Sequence, residues 1–589
     1  MIIELGEYAL ILASLVALYS IIVPILGLYS NSDSLLQSGA YGLIGTFILL
    51  SITTLALLFA ILTGDYSIEY VYGYSNIDLS FLYKISSFWA GQKGSLLLWG
   101  WMLALFSVIA VLQNRNHNKE LMPYVTIILA IGQLFFTLLI IFPAPLFEKM
   151  TVLPEDGYGL NPLLQNPGMV YHPPTLYIGF VGFMIPFAFA MASLCSKSRS
   201  QQWIVSTRRW TIFAWLFLTI GNLLGANWAY VELGWGGYWG WDPVENASLM
   251  PWLTGTAYLH SIMIQERKKM LKTWNMVLIS LTFILTILGT FITRSGIISS
   301  VHAFGESSVG TYFLYFLIFI VIAVSYLIFS RHELLRSEDT LDSLVSRESS
   351  FIFNNIILVG GAFTVLAGTM FPLVSELFIA EKVTVGPLFF NKVMVPIGLG
   401  LLLLAGICPL IAWRKASVAN FKKNFLTPIG FGIFIFILSL TILPFSLMAS
   451  LSFGLSGFVL GSIFIDLFKA TKVRHLLSNN NYIHSLFGLI WQNKRKYGGY
   501  IVHIGAVFLF IGFTGSAFNR SVETSLFPGD KIIAGDYDLT FVRFDQIKDN
   551  RLTERLVSTF LVEKNGKPLG YMRPEIKIHF KNSLSGERS

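Results

Sequence analysis

Residues 227–248 read NWAYVELGWGGYWGWDPVENAS and lie between two apolar runs. Four tryptophans, two tyrosines, three acids and four glycines share this stretch. Aromatic belts at a membrane interface are scattered along a chain, whereas here the rings alternate with Gly and acids. Trp235, Tyr238, Trp239 and Trp241 offer flat apolar faces to a large planar ligand, and the glycines let the backbone come close to it. An aromatic interface loop with no ligand is the plain alternative. The flanking apolar runs decide the fold class, because each is long enough to cross a bilayer.

Working outward, the pattern repeats through most of the 589 residues. The chain is 54% hydrophobic and only 13% charged, with a mean hydropathy of +0.65. This composition excludes a soluble multidomain protein and implies an all-α polytopic membrane protein. The reading predicts fourteen spans: 7–28, 41–63, 94–112, 122–142, 174–194, 210–226, 249–266, 274–292, 310–329, 351–371, 392–412, 428–446, 451–468 and 499–518. A pI near 9.2 is no nucleic-acid signal here, since the basic residues cluster in short loops as topology determinants do. Twenty-three Lys and Arg fall in one set of loops and six in the other. The basic set is therefore expected to be cytoplasmic, with the N-terminus and the tail outside. Cys195 and Cys408 form no motif, and no disulfide or thiol chemistry is expected from them. The first apolar run lacks a basic flank and a small-residue cleavage site, so a retained helix is expected there.

The outer loops differ from the basic ones. Residues 64–93 end in SSFWAGQKGSLLLW, residues 143–173 end in NPGMVYHPP, and 293–309 read TRSGIISSVHAFGESSV. All carry aromatics, Gly, Pro or His, which places the expected chemistry on the outer face. Residues 1–518 form the predicted membrane domain. The tail 519–589 alternates polar and apolar residues, with turn signals at Pro528-Gly529 and Asn565-Gly566. It predicts a small extracytoplasmic β-rich domain.

Of the nine histidines, five sit among charges in basic loops or in the tail. His260 and His503 lie inside apolar spans, where an ionisable residue is a functional candidate. At 1.5 Å per residue they lie about 9 Å and about 6 Å from the cytoplasmic ends of their spans. Two imidazoles at matching depth suit a shared metal or a low-spin haem iron. Hydrogen bonds to neighbouring helices are an equal alternative from spacing alone. His172 and His302 flank the Trp-rich loop in sequence. Together with its rings they suit a second, outward haem site, with Arg294 as partner for the haem carboxylates. Asp242 and Glu245 read first as caps of the helix that follows; ligand orientation is their weaker role.

WAYVELGWGGYWGWDPVENASLMPWLTGTAYLHS resembles the tryptophan-rich WWD signature of haem-handling membrane proteins. With MVYHPPTLYIGFVGF, FWAGQKGSLLLW and TRSGIISSVHAF, the chain resembles the CcmF/NrfE family, the haem lyase subunit of bacterial System I cytochrome c maturation. The resemblance implies that His172 and His302 ligate incoming haem. It implies that His260 and His503 hold a resident haem b. Trp235, Trp239, Trp241 and Asp242 become the signature contacts, with Tyr238 standing where the signature has Trp. The chain also ends in the outer domain, where the family carries one more helix.

The resemblance further implies a multi-pass protein of the bacterial inner membrane, with the tail in the periplasm. Its reaction joins haem vinyl groups to the two thiols of a Cys-x-x-Cys-His segment of apocytochrome c. The expected partners are a haem chaperone, the apocytochrome, other maturation subunits and the lipid bilayer, and no nucleic acid. The resident haem would be the reductant. Two other classes stay open: a membrane b-type cytochrome or quinone-reactive subunit, and a haem exporter.

Overall fold

The computed structural model describes all residues except 234–236, 299, 301–306, 340–342, 344–345, 412–417, 479–480, 549–552, 581–585 and 589. Eighteen α-helices are described, and they precede the strands. The first six are α1 (Ile2–Ser30), α2 (Asp33–Thr63), the short α3 (Glu69–Tyr74) and α4 (Phe81–Ala90), α5 (Gln92–Asn114) and α6 (Met122–Ile141). Next come α7 (Pro167–Gly182), α8 (Met184–Cys195), α9 (Gln202–Glu232), α10 (Pro243–Lys268), α11 (Lys272–Ser295) and α12 (Val309–Ser330). The last six are α13 (Arg347–Ile379), α14 (Pro387–Ile407), α15 (Val418–Ile442), α16 (Leu447–Ser478), α17 (Tyr482–Gln492) and α18 (Lys494–Gly515).

Thirteen spans among the described residues are long and apolar enough to cross a membrane, with α7 and α8 counting as one. The remaining predicted span, 249–266, is α10. It has the length, at 26 residues, but is less apolar. Its neighbours are α9, α11 and α13, so its buried Asn246, Thr254, Ser261 and Gln265 face protein and not lipid. Polar side chains are tolerated at such positions because neighbouring helices satisfy them.

Two helices next to the Trp-rich loop are longer than their apolar runs. α7 begins at Pro167, not at 174, because the Asn166 side chain accepts from Gly168 N and Pro167 suits the first helical position. α9 runs on to Glu232, past the predicted end at 226. The aromatic stretch 227–232 is thus helical, and the next helix, α10, begins at Pro243.

The main apolar core draws on α2, α5, α6, α8, α10 and α11, with Leu43, Leu50 and Leu57 fully buried at seven-residue intervals. A separate, smaller cluster joins α14, α16 and α18 through Leu402, Val459, Ile463, Tyr497, Tyr500 and Val507. His260 belongs to a helix of the first cluster and His503 to a helix of the second.

The tail forms an antiparallel sheet of β1 (Lys531–Ala534), β2 (Tyr537–Lys548), β3 (Thr553–Lys564), β4 (Lys567–Met572), β5 (Glu575–Phe580) and β6 (Gly586–Arg588). The order is β1-β2-β3-β5-β6, and β4 also pairs with β3. Asn565 and Gly566 have φ of 51° and 73°, which a two-residue hairpin turn of this kind requires. The expected β-rich tail is therefore present.

Candidate functional site

Four segments far apart in sequence meet at one end of the bundle. The first is the FWAGQK turn between α4 and α5. Tyr70 of α3 lies beneath it, accepting from Gly91 N at 3.0 Å and donating to the carbonyls of Ser87 and Phe88. Burial pushes the Tyr70 phenol well up from its ordinary value, so it stays a neutral donor. Trp89 in this turn donates to Met169 O of α7 at 2.9 Å. Gln92 donates to Ser307 Oγ at 2.9 Å. Lys93 pairs with Glu69 and Glu148, and its ammonium holds the Glu148 carboxyl below the usual range.

His172 lies in the second turn of α7 and faces α9. Its Nδ1 is 2.8 Å from Gly221 O. A carbonyl only accepts, so Nδ1 carries the proton and Nε2 is the nitrogen whose lone pair suits a metal. The ring fits because α9 presents Gly221 and Gly225, four residues apart, the small-residue spacing that lets membrane helices approach closely. A Cβ on Gly225 would sit 2.5 Å from His172 Cε1. Asn166, the cap of α7, also bonds to Glu232 at the end of α9, locking the two helices beside the loop.

Within the loop, Trp241 has a left-handed backbone, φ 57°, which is rare for a bulky residue and costs strain. Its indole faces α14: Nε1 donates to Asn391 Oδ1 at 2.9 Å, and the ring stacks on Phe390 at 4.9 Å and 11°. Trp239 meets it edge-on, 6.0 Å away, and Trp239 Nε1 is buried with no hydrogen-bond partner among the described residues. Tyr238 turns the other way, to α18, where its hydroxyl donates to Gly512 O at 3.3 Å. Asp242 is the N-cap of α10. It accepts from Val244 N, while Glu245 accepts from the backbone of Asp242 and Gly240. This is a capping box: both acids cap as expected, but it starts α10 at Pro243 and not near 249. Asp242 also accepts from Ser300 Oγ at 2.6 Å.

Arg294, at the end of α11, is fully buried. It donates to Gln92 O at 3.2 Å and Ser95 Oγ at 3.0 Å, so it braces the start of α5. His302 and Trp235 lie outside the described residues. The flanks of His302 are placed: Ser300 on Asp242, and Ser307 on Gln92 and on Arg294 O.

Deeper in the bundle, the rings of His260 and His503 face one another with centroids 6.4 Å apart and planes at 35°. His260 Nδ1 lies 2.8 Å from Thr256 O, one turn back. It is therefore the donor, which leaves Nε2 for a metal. That turn is held from α9: Trp215 donates to the Thr256 hydroxyl and Trp252 to Thr219, each at 2.8 Å. His503 Nδ1 is buried and has no hydrogen-bond partner among the described residues. An orphaned imidazole nitrogen inside a bundle is costly. A metal held by both rings needs about 2 Å per bond plus about 1 Å of ring on each side, or about 6 Å between centroids. The donor set, the orphaned nitrogen and the spacing all fit a bis-imidazole iron.

Sequence reasoning singled out both members of this pair but not what holds them. Glu266 lies between Arg208 of α9 and Arg495 of α18. Asn391 and Phe390 receive Trp241. Neither set stands out along the chain, since Asn, Phe and surface charges are common; only the threonine four residues before His260 carried a local signal.

Fold and site together define a polytopic membrane protein with an aromatic end that bears His172 and a histidine pair, His260 and His503, within the bundle. Residues 89–298 match a family model described as cytochrome C assembly protein. Among curated relatives, the chain is 36% identical over 546 residues to the cytochrome c-type biogenesis protein CcmF of Haemophilus influenzae, covering 92% of this chain and 83% of that protein. It is 34% identical to CycK of Rhizobium meliloti (94% and 81% covered) and 33% identical to NrfE of Haemophilus influenzae (98% and 88% covered). A solved structure titled "Cytochrome c Heme Lyase CcmF" matches with a TM-score of 0.80 and 28% identity, covering 100% of this chain and 89% of the other. The chain belongs to the CcmF/NrfE family of cytochrome c-type biogenesis proteins.

Proposed function

We propose that the chain is the haem lyase of a cytochrome c maturation system. It receives haem from a haem chaperone and supports its attachment to apocytochrome c. The aromatic end, with the β-rich tail, faces the periplasm, and the basic end faces the cytoplasm, following the bias of Lys and Arg. The observation that carries the reading is the meeting of His172, the Trp-rich loop and both flanks of His302 at one end of the bundle. His172 and His302 are the residues for the iron of the incoming haem. Trp235 and Trp239 are the residues for its faces and edge. Tyr238, Trp241, Asp242 and Arg294 hold the loop and its neighbours in place around it.

The reaction needs no nucleophile from the chain. Each thiol of the apocytochrome adds across one vinyl group: a C–S bond forms, the C=C bond becomes single, and the thiol proton goes to the neighbouring vinyl carbon. The contribution of the protein is to hold the vinyl groups against the thiols, where orientation alone is worth several kcal/mol, about 7–11 in favourable cases. His260 and His503 are the residues for a resident haem b, which when bound supplies one-electron chemistry to keep the substrate iron ferrous.

Absorption spectra of purified protein and cytochrome c assembly in cells test this together. His260→Ala or His503→Ala abolishes a b-type spectrum; His172→Ala or His302→Ala retains it and abolishes assembly. Wild-type protein with no b-type haem sinks the resident-haem role. Outer variants that still mature cytochrome c sink the lyase site, and if they also fail to load the chaperone, haem export is the better reading. The inner pair by itself also suits an electron-transfer b-cytochrome, which predicts normal assembly in a strain lacking the chain.

A further inference from the structure

The two inner histidines belong to differently packed parts of the bundle. α10 lies in the main core, and α18 in the small cluster with α14 and α16. Along α18, a Cβ placed on Gly498, Gly499, Gly505 or Gly512 would meet nothing within 4 Å. Ile501 and Phe508 are mostly exposed. Packing alone therefore does little to fix how far α18 stands from α10.

Two polar contacts tie α18 to α10 and to the loop before it, one near each end of α18. At the basic end, Glu266 of α10, six residues after His260, is 10% exposed and pairs with Arg495 of α18 and Arg208 of α9. Arg208 Nε adds a hydrogen bond to Glu266 at 2.9 Å. At the other end, the Tyr238 hydroxyl donates to Gly512 O, and its ring lies 6.5 Å from Phe513. Arg495 is eight residues before His503 and Gly512 nine after it, about 12 Å and about 13 Å along the helix. His503 thus sits midway between the two ties.

We propose that Glu266 and Tyr238 are positioning residues that clamp α18 at both ends and so set the spacing of His260 and His503. This rests on the reading of that pair as a haem site. The clamp gives Tyr238 a role beyond contact with substrate: it ties the Trp-rich loop to the helix of the inner ligand. A loop that moves when it engages a planar substrate then moves α18, and by linkage the state of the inner pair biases the loop. Glu266 is suited to its end because one buried carboxylate separates two guanidinium groups; without its charge they repel.

The test uses the full-length chain and two conservative variants. Tyr238→Phe keeps the ring and removes only the hydroxyl. Glu266→Gln keeps the shape and removes the charge. Each is expected to keep bound haem b but to shift its midpoint potential and its low-spin resonance signature, and to weaken haem retention by roughly tenfold, as loss of supporting shell residues does at ligated metals. Glu266→Asp restores the wild-type signature in part. Spin labels on Met263 and Ile501, in haem-free protein lacking Cys195 and Cys408, are expected to show a broader distance distribution in both variants. An unchanged distribution overturns the clamp whether or not haem is found. Unchanged potential and resonance in haem-loaded variants overturn it as well. If wild-type protein carries no haem b, the haem reading fails by itself, and the label distances still decide the clamp.

Discussion

Trp241 Nε1 donates to Asn391 Oδ1 across 2.9 Å, although 150 residues separate the two. This bond and the stack on Phe390 turn the Trp241 indole toward α14 and hold a backbone that is strained at φ 57°. Asn391→Ala is expected to cost about 1 kcal/mol locally and to free the loop. Limited proteolysis between residues 233 and 242 becomes faster and assembly falls, while b-type haem is still bound. Equal cleavage rates in variant and wild type would show that the bond does not hold the loop.

Gly225→Ala places a methyl carbon 2.5 Å from His172 Cε1. The ring must shift or α7 and α9 must part, at about 1–3 kcal/mol. A displacement of this size at a reacting centre costs up to about a hundredfold in rate. Cytochrome c assembly is expected to drop accordingly in quantified pull-down of product, with the protein level within twofold of wild type. Full assembly would mean that His172 tolerates displacement.

Asp242→Ala removes the cap of α10 together with the anchor for Ser300. The expected cost is about 1–2 kcal/mol, read as an earlier transition in detergent unfolding. Asp242→Asn retains a capping side chain and should lose less than half of that. If the two variants unfold alike, charge and not capping is what the position requires.

Arg294→Lys retains the charge but not the fork that reaches Gln92 O and Ser95 Oγ. A loss of about 1–3 kcal/mol is expected, with slower assembly, since the turn that Arg294 braces also carries Trp89 onto α7. Wild-type unfolding in this variant would make the fork dispensable.

The pair of Lys93 with Glu148 gives a pH dependence of known sign. The folded carboxyl lies below its ordinary value because the Lys93 ammonium favours the charged form. Its stabilisation is therefore present above the unfolded carboxyl value and is lost as pH falls through the lowered folded value. Thermal unfolding of wild type and Glu148→Gln should differ at pH 7 and converge in acid. A constant difference down to pH 3 would rule the pair out as its source.

The sequence by itself determined that this is a polytopic helical membrane protein with a β-rich tail. Hydrophobic runs and the period-two alternation of 531–580 are local properties, set by bilayer thickness and by the pleat. It also made the four histidines and the Trp-rich loop conspicuous, because His in an apolar span and Trp interleaved with Gly are rare and costly. The cap of α10 was readable for the same local reason.

Tertiary structure alone decided which of these parts meet. That His260 and His503 face each other at 6.4 Å depends on the rotation of two helices about their axes, which depth along a span leaves open. That Trp241 turns to Asn391 while Tyr238 turns to Gly512 depends on where α14 and α18 come to rest. Those helices are placed by the small apolar cluster they share with α16 and by a few polar bonds, not by any pattern within their own runs. The loop that the sequence marked as one aromatic surface is divided by the fold: one ring braces α14, another holds the helix of His503.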